Sequence, residues 1–477
     1  MRLAWYQQDQ ERVAAALLRG ERPDMATTMD SGPLDELVAL HDELRVFDAL
    51  DDLPIRRRRQ GIEDVLLLRT LAVLPFLETS SLSGAAELLF GDPAVLLHLG
   101  WSPLQLRIGD NERRGPAAHR RLESLPCSPE TLRDELARVS EADWQKVQEE
   151  PVRELFERNL IRGRVYAIDG TGLGENLRLV CLVCVSTERP VIVAWRLLTG
   201  DASEKGKEAA VARSLIEQAI RLGGEGCIKL LLADALYADG PFLAWCKYVH
   251  QIDVLVPLPV SRELHRDLEQ LAAAGALSFQ RHSYVRRIQG HKQRRKLDLG
   301  VAHGLTCWDS YLAAARAYGD EAPQLWGCLV RPVEPTSDDD LPWTLVSTRP
   351  WPNGAAAYQA ARPRWHIEND GYRELKEGWG LEAQLWGRDA DVQRGRVTLT
   401  CLAFNTAQIY LSRAGERLAA KGIRRLRRHY QRLLGRTPAV IYIGRHYGVF
   451  PLEKLLDLLG RSTRTTLLPH ASLANPP

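Results

Sequence analysis

Residues 164–174 read RVYAIDGTGLG, residues 177–187 LRLVCLVCVST, residues 190–200 PVIVAWRLLTG and residues 228–240 IKLLLADALYADG. The apolar and β-branched runs in these stretches are short and are bounded by Gly, Pro, Asn or acidic residues, which is the chemistry of strands. The first three follow one another across turn-length gaps and read as a meander. Residues 207–223, KEAAVARSLIEQAIRLG, then place apolar residues at helical period. A helix from about Gly240 to Val249 and a strand in IDVLVPLP (252–259) complete the pattern. Three strands, a helix, a strand, a helix and a strand specify a mixed α/β sheet flanked by helices.

Upstream, residues 1–155 read as helical, with apolar residues recurring at helical spacing in LDELVALHDELRVFDAL and IEDVLLLRTLAVLPFLETSS. In SPETLRDELARV, Ser128 precedes Pro129, a helix-start signature. Downstream, the chain turns β-rich and basic from about Ser261 to Arg349, and helices return from Asn353. The pattern divides the chain into a helical N-terminal domain (1–155), a first α/β part (160–260), a β-rich insertion (261–350), a second α/β part (351–412) and a basic helical C-terminal region (413–477). There is no internal repeat.

The chain has 477 residues, is 45% hydrophobic and carries a formal charge of +2, which excludes a disordered protein. No uncharged apolar run reaches the length of a membrane span, and MRLAWYQQDQER lacks the apolar core of a signal peptide, so a cytoplasmic protein is expected. The eight cysteines are scattered in apolar context and read as reduced core thiols. Cys181 and Cys184 form a C-x-x-C, but inside a buried-strand pattern and with no second ligand pair.

The small net charge hides segregation. Arg281 to Lys296 holds seven Lys/Arg and no acid, and Arg413 to Arg445 holds ten against one acid. Together these segments carry +16, so a total of +2 leaves −14 on the remainder. Arg56 to Arg59 adds a third basic cluster. Basic blocks set in an acidic body are the footprint of a polyanion-binding protein; a solvated helix face is the ordinary fate of one such run, not of three.

Two strands of the α/β part end in an acid, Asp169 in YAIDG and Asp234 in LLLADALY, and a third acid, Glu368, lies on the later helix in RWHIEND. Acids at the C-terminal edge of such a sheet converge on one point. Three carboxylates with little histidine support suit hard divalent ions such as Mg²⁺, with Mn²⁺ as substitute. Two such ions clamp the attacking and leaving oxygens of an in-line phosphoryl displacement.

Asp-Gly-Thr on the first strand, Leu-Leu-Ala-Asp-x-x-Tyr on a later one, and Arg364-Trp365-His366-Ile367-Glu368 before Leu375-Lys376 together resemble the DDE transposases of bacterial insertion sequences. The resemblance covers roughly residues 160 to 412. Within that family it is closest to the group with a Tyr-Arg-Glu-Lys signature and a β-rich insertion, and WTLVST from Trp343 is similar to the Trp-x-Leu-x-x-Thr strand of that group. The resemblance implies an RNase H-like catalytic domain in which Asp169, Asp234 and Glu368 bind the metal. It implies double-stranded DNA as partner, namely the element's terminal inverted repeats and the target, and a homodimer in the DNA complex. Arg364, Tyr372 and Lys376 become supporting residues. Arg286, Arg287, Arg294 and Arg295 of the insertion and Arg424, Arg425, Arg427 and Arg428 of the tail become phosphate contacts. Trp343 is a candidate to stack on a flipped base, beside an ordinary core role.

Two departures from the family pattern stand out. Ala361 occupies the place of the signature Tyr, and Lys376 follows Glu368 by eight residues instead of seven. At about 100° per residue, eight residues turn the Lys about 80° from the Glu. Either the long side chain spans that angle, or Gly371 marks a one-residue π-bulge that restores the phase. On an unbroken α-helix, Arg364, Glu368 and Tyr372 share one face. Two other functions fit the same residues: a transposase-derived protein that binds DNA without cutting it, and a simple metal-dependent nuclease.

Overall fold

The computed structural model describes residues 7–28, 33–55, 62–77, 81–90, 95–96, 99–102, 105, 126–203, 207–288, 291–333, 342–364, 367–383, 386–413, 438–451, 455 and 458–459. The chain forms two compact units, Leu155–Glu374 and the paired segments Met1–Glu154 and Leu375–Pro477. Among the described residues no helix is long and apolar enough to cross a membrane.

The unit Leu155–Glu374 is built on one mixed sheet of nine strands flanked by helices. In chain order they are β1 (Val165–Gly172), β2 (Leu177–Cys184), β3 (Val191–Thr199), β4 (Leu230–Ala233), β5 (Asp253–Leu258), β6 (Phe279–Ile288), β7 (His291–Leu305), β8 (Leu325–Pro332) and β9 (Trp343–Ser347). Across the sheet the order is β3-β2-β1-β4-β5-β9-β8-β7-β6. The first three strands are the antiparallel meander read from the sequence. The strands β4 and β5 then run parallel to β1, and all later pairings are antiparallel. The β-rich segment therefore extends the same sheet past β5. Helices Ala209–Gly223 and Gly240–His250 make the crossovers that the parallel strands need. Burial explains why the central strands carry apolar runs: Leu179 to Cys184 of β2 are all buried, as are Leu230 to Ala233 of β4, so both faces of the sheet are covered. Both members of the C-x-x-C, Cys181 and Cys184, sit in that core as free thiols.

The other unit centres on the helix Ala390–Arg413, which is buried around most of its circumference. A helix with that exposure pattern belongs in the middle of a bundle. Gly395 lets it approach its neighbours, since a Cβ there would lie 2.6 Å from the Trp144 ring and 2.7 Å from Leu136. Ser128 caps the helix Pro129–Leu136 as its sequence requires, accepting the Thr131 N–H at 3.3 Å.

Two expectations about this unit need correction. The N-terminal region is not wholly helical: Gln7–Gln8 and Met25–Thr28 are strands. The C-terminal region is not wholly helical either. Pro438–Ile443 and His446–Pro451 form a β-hairpin that pairs with both N-terminal strands in a four-stranded sheet. The cause is local. AVIYI and HYGVF are rich in β-branched and aromatic residues, and Gly444 turns the chain at a φ of 61°. Ala439, Ile441 and Phe450 then close a small core over Val13 and Leu17 of the helix Gln10–Leu18.

Candidate active site

The register of the sheet puts two of the three proposed metal ligands side by side. Ile168 of β1 pairs in parallel with Ala233 of β4. The next residue on each strand is Asp169 and Asp234 respectively, so the two acids stand at equivalent positions on strands about 4.8 Å apart. Their surroundings differ. Asp169 is only 8% exposed. Its Oδ1 accepts the Gly170 N–H at 2.7 Å, and Arg364 Nη1 lies 3.5 Å from its Oδ2. Asp234 is half-buried and caps the 3₁₀ turn Ala235–Tyr237, accepting the Ala235 N–H at 2.7 Å.

The segment that brings Arg364 to this edge is not the α-helix read from its sequence. After the helix Gly354–Ala361 the chain forms two π turns, Ile367–Tyr372 and Glu374–Gly378. The first contains Gly371, the residue at which a π-bulge would accommodate the extra position before Lys376. In a π turn each N–H reaches the carbonyl five residues back. Tyr372 is buried against β1 and β2. Its hydroxyl donates to the Asp169 carbonyl and accepts the Cys181 N–H at 3.1 Å. Asp169 and Cys181 are register partners, so the tyrosine hydroxyl is inserted into the β1–β2 ladder directly beneath the acid. Burial, and then the neighbouring Cys181 and Asp169, push the Tyr372 hydroxyl well above its ordinary pKa, which keeps it a donor. Tyr372 therefore clamps the strand that carries Asp169. The backbone of Glu368 runs through the first π turn, and its side chain, with Trp365 and His366, lies outside the described residues.

A carboxylate that the sequence reading passed over sits beside Asp169. Glu208, just before the helix Ala209–Gly223, is 1% exposed. A Cβ on Gly170 would lie 3.2 Å from its Cβ and Cγ, so Gly170 leaves the room that Glu208 occupies. Arg178 Nη1 of β2 approaches Glu208 Oε1 at 3.4 Å. The only signal in the sequence was an acid at the start of an amphipathic helix, a commonplace of helix N-termini. Its burial decides its interest, since a buried carboxylate needs a cation or donors.

No protein-family model matches the chain, and no curated protein matches it.

Beside the acids, a cavity of about 330 Å³ opens where β4, β5 and β9 end, between Ala233, Leu255, Pro257, Val260, Trp343 and Arg364. The cavity walls are apolar, with one aromatic and one guanidinium at the rim. Trp343, half-buried at the start of β9, is 6.3 Å from the Tyr358 ring, centroid to centroid. The β6–β7 hairpin divides the basic residues assigned to it. Arg294 and Lys296 are exposed and Arg295 is half-buried, as the two-residue alternation of a strand requires. Arg286 and Arg287 belong to β6 opposite Gln293 and Lys292, and their side chains lie outside the described residues. Lys376 falls in the second π turn, in the segment assigned to the other unit, and is half-buried. Arg424, Arg425, Arg427, Arg428 and the cluster Arg56 to Arg59 lie outside the described residues.

Proposed function

We propose that the chain is a DDE-type DNA transposase that cleaves the ends of its own element and joins the exposed 3′-OH to target DNA, with an RNase H-like catalytic domain in residues 160–260 and 351–412. One observation carries the reading: Asp169 on β1 and Asp234 just past β4 follow the last paired residues of two adjacent parallel strands, and Arg364 of the Arg-x-x-x-Glu segment reaches Asp169 across 195 residues of chain. The strand order β3-β2-β1-β4-β5, with β2 antiparallel, supports the RNase H-like reading.

The donor set fits Mg²⁺. It consists of hard carboxylate oxygens at one sheet edge, one of them nearly buried, and the segment bearing Glu368 arrives at the same edge through Arg364. Asp169, Asp234 and Glu368 would hold the ions. When bound, such ions lower the pKa of an attacking water or 3′-OH and offset charge on the leaving oxygen. The rest falls to the chain. Tyr372 fixes the Asp169 backbone through two hydrogen bonds. Arg364 pairs with Asp169, and its planar guanidinium is the group that would meet a phosphate oxygen there. The cavity beside Trp343 has the apolar walls and the ring that an unstacked base uses. Arg294 and Lys296 offer exposed charge to the DNA backbone.

Two DNA ends meet in such a reaction, so a dimer forms on DNA. The test is a supercoiled or linear DNA bearing the element's ends, incubated with Mg²⁺ or Mn²⁺ and a second target DNA. Joined products are expected. Cleavage without joining would assign the chain to the simple nucleases, and binding without cleavage to the inactive transposase-derived DNA-binding proteins.

A further inference from the structure

Tyr237 lies three residues past Asp234, in the 3₁₀ turn that Asp234 caps, and its N–H donates to the Asp234 carbonyl at 3.0 Å. The side chain is 1% exposed, and its ring lies 6.4 Å from that of Phe242. Its hydroxyl has no hydrogen-bond partner among the described residues. A buried hydroxyl left in that state costs free energy, and native folds pair such groups. The surroundings are one-sided. After burial, the influences that raise the Tyr237 pKa are the charges of Asp169, Glu208 and Asp234, in that order. A tyrosine hydroxyl carries a proton to donate at neutral pH, whereas carboxylates only accept. Arg364 already lies 3.5 Å from Asp169, and Arg178 lies 3.4 Å from Glu208. The fold has supplied the site with cations and has left a neutral donor beside it unused.

We infer that Tyr237 is a positioning residue of the metal site: its hydroxyl is the donor that would orient an Asp169 or Asp234 carboxylate when those residues hold a divalent ion. The inference rests on the proposed use of Asp169 and Asp234 as metal ligands. A donor of this kind orients a ligating carboxylate without touching the ion, and removing one such partner weakens metal affinity by about 10- to 100-fold.

The discriminating variant is Tyr237→Phe, which keeps the ring and its packing and deletes only the hydroxyl. Mn²⁺ binding to the full-length chain is titrated directly, from the electron paramagnetic resonance signal of the free ion, alongside the melting temperature of the metal-free protein. The expected result is Mn²⁺ affinity about 10-fold or more below wild type, with metal-free stability equal to wild type or higher. Equal Mn²⁺ affinity in the two proteins overturns the inference alone. A lower metal-free melting temperature in the variant, whatever its affinity, shows the hydroxyl already paired within the fold and also overturns it. Failure of both proteins to bind Mn²⁺ overturns the metal reading of Asp169 and Asp234 and takes this inference with it.

Discussion

On β1 and just past β4, two acids stand at equivalent register, yet the fold treats them differently. Asp169 is nearly buried, faced by Arg364, with Tyr372 hydrogen-bonded to the backbone beneath it. Asp234 is half-buried, and its carboxylate serves the turn that follows it. A site built this way has one fixed acid and one adaptable acid. The fixed one sets the geometry. Asp169 is tied to Arg364 and Tyr372, 195 and 203 positions away in the chain, whereas Asp234 is tied to its immediate neighbours.

The largest expected stability effect falls on the fixed end. Tyr372→Phe removes the hydroxyl from the β1–β2 ladder and leaves the Asp169 carbonyl and the Cys181 N–H without that partner. The two groups still face each other as register partners, so the loss is that of two hydrogen bonds at about 0.5–1.5 kcal/mol each, about 2 kcal/mol in urea unfolding. A variant as stable as wild type would remove the clamp from the account. Next comes Asp169→Asn, which leaves the largely buried Arg364 facing a neutral group. A loss of about 1.5 kcal/mol is expected, the scale of a charge-assisted contact. The same change at the adaptable end, Asp234→Asn, keeps an oxygen able to cap the turn and is expected to stay within about 0.5 kcal/mol of wild type. Equal losses at the two acids would erase the distinction between them.

Legibility followed the same division. The two aspartates could be read because acids that follow short apolar runs announce themselves, although β1 continues three residues past Asp169, to Gly172; the meander, crossovers and parallel strands followed from the same runs. The role of Tyr372 could not. Its partners are backbone groups of β1 and β2 that lie 203 and 191 positions away in the chain, which spacing within one segment does not reveal. Glu208 was hidden for another reason: its burial against Gly170 is a tertiary fact, while its position at a helix start is ordinary. In the tail, charge masked geometry. The ten basic residues drew attention away from the alternation in AVIYIGRHYGVF, which folds as a hairpin on the N-terminal strands.

A smaller expected effect concerns the basic hairpin, which lies at the far edge of the sheet from β3. Arg294→Gln with Lys296→Gln should weaken DNA binding uniformly across sequences and lower the salt slope of log affinity by about 1 for each phosphate no longer neutralised. The half-buried Arg295 should contribute less to that slope than exposed Arg294. An unchanged slope in the double variant would remove this face from the DNA interface.

The central claim is that the carboxylates at this sheet edge carry out metal-dependent phosphoryl transfer. The direct measurement is Mg²⁺-dependent cleavage and joining of DNA bearing the element's ends, with wild type beside Asp169→Asn and Glu368→Gln. Loss of several kcal/mol of charge stabilisation corresponds to a rate at least about 10³-fold lower in each variant. Variants that cut and join as fast as wild type would contradict the account.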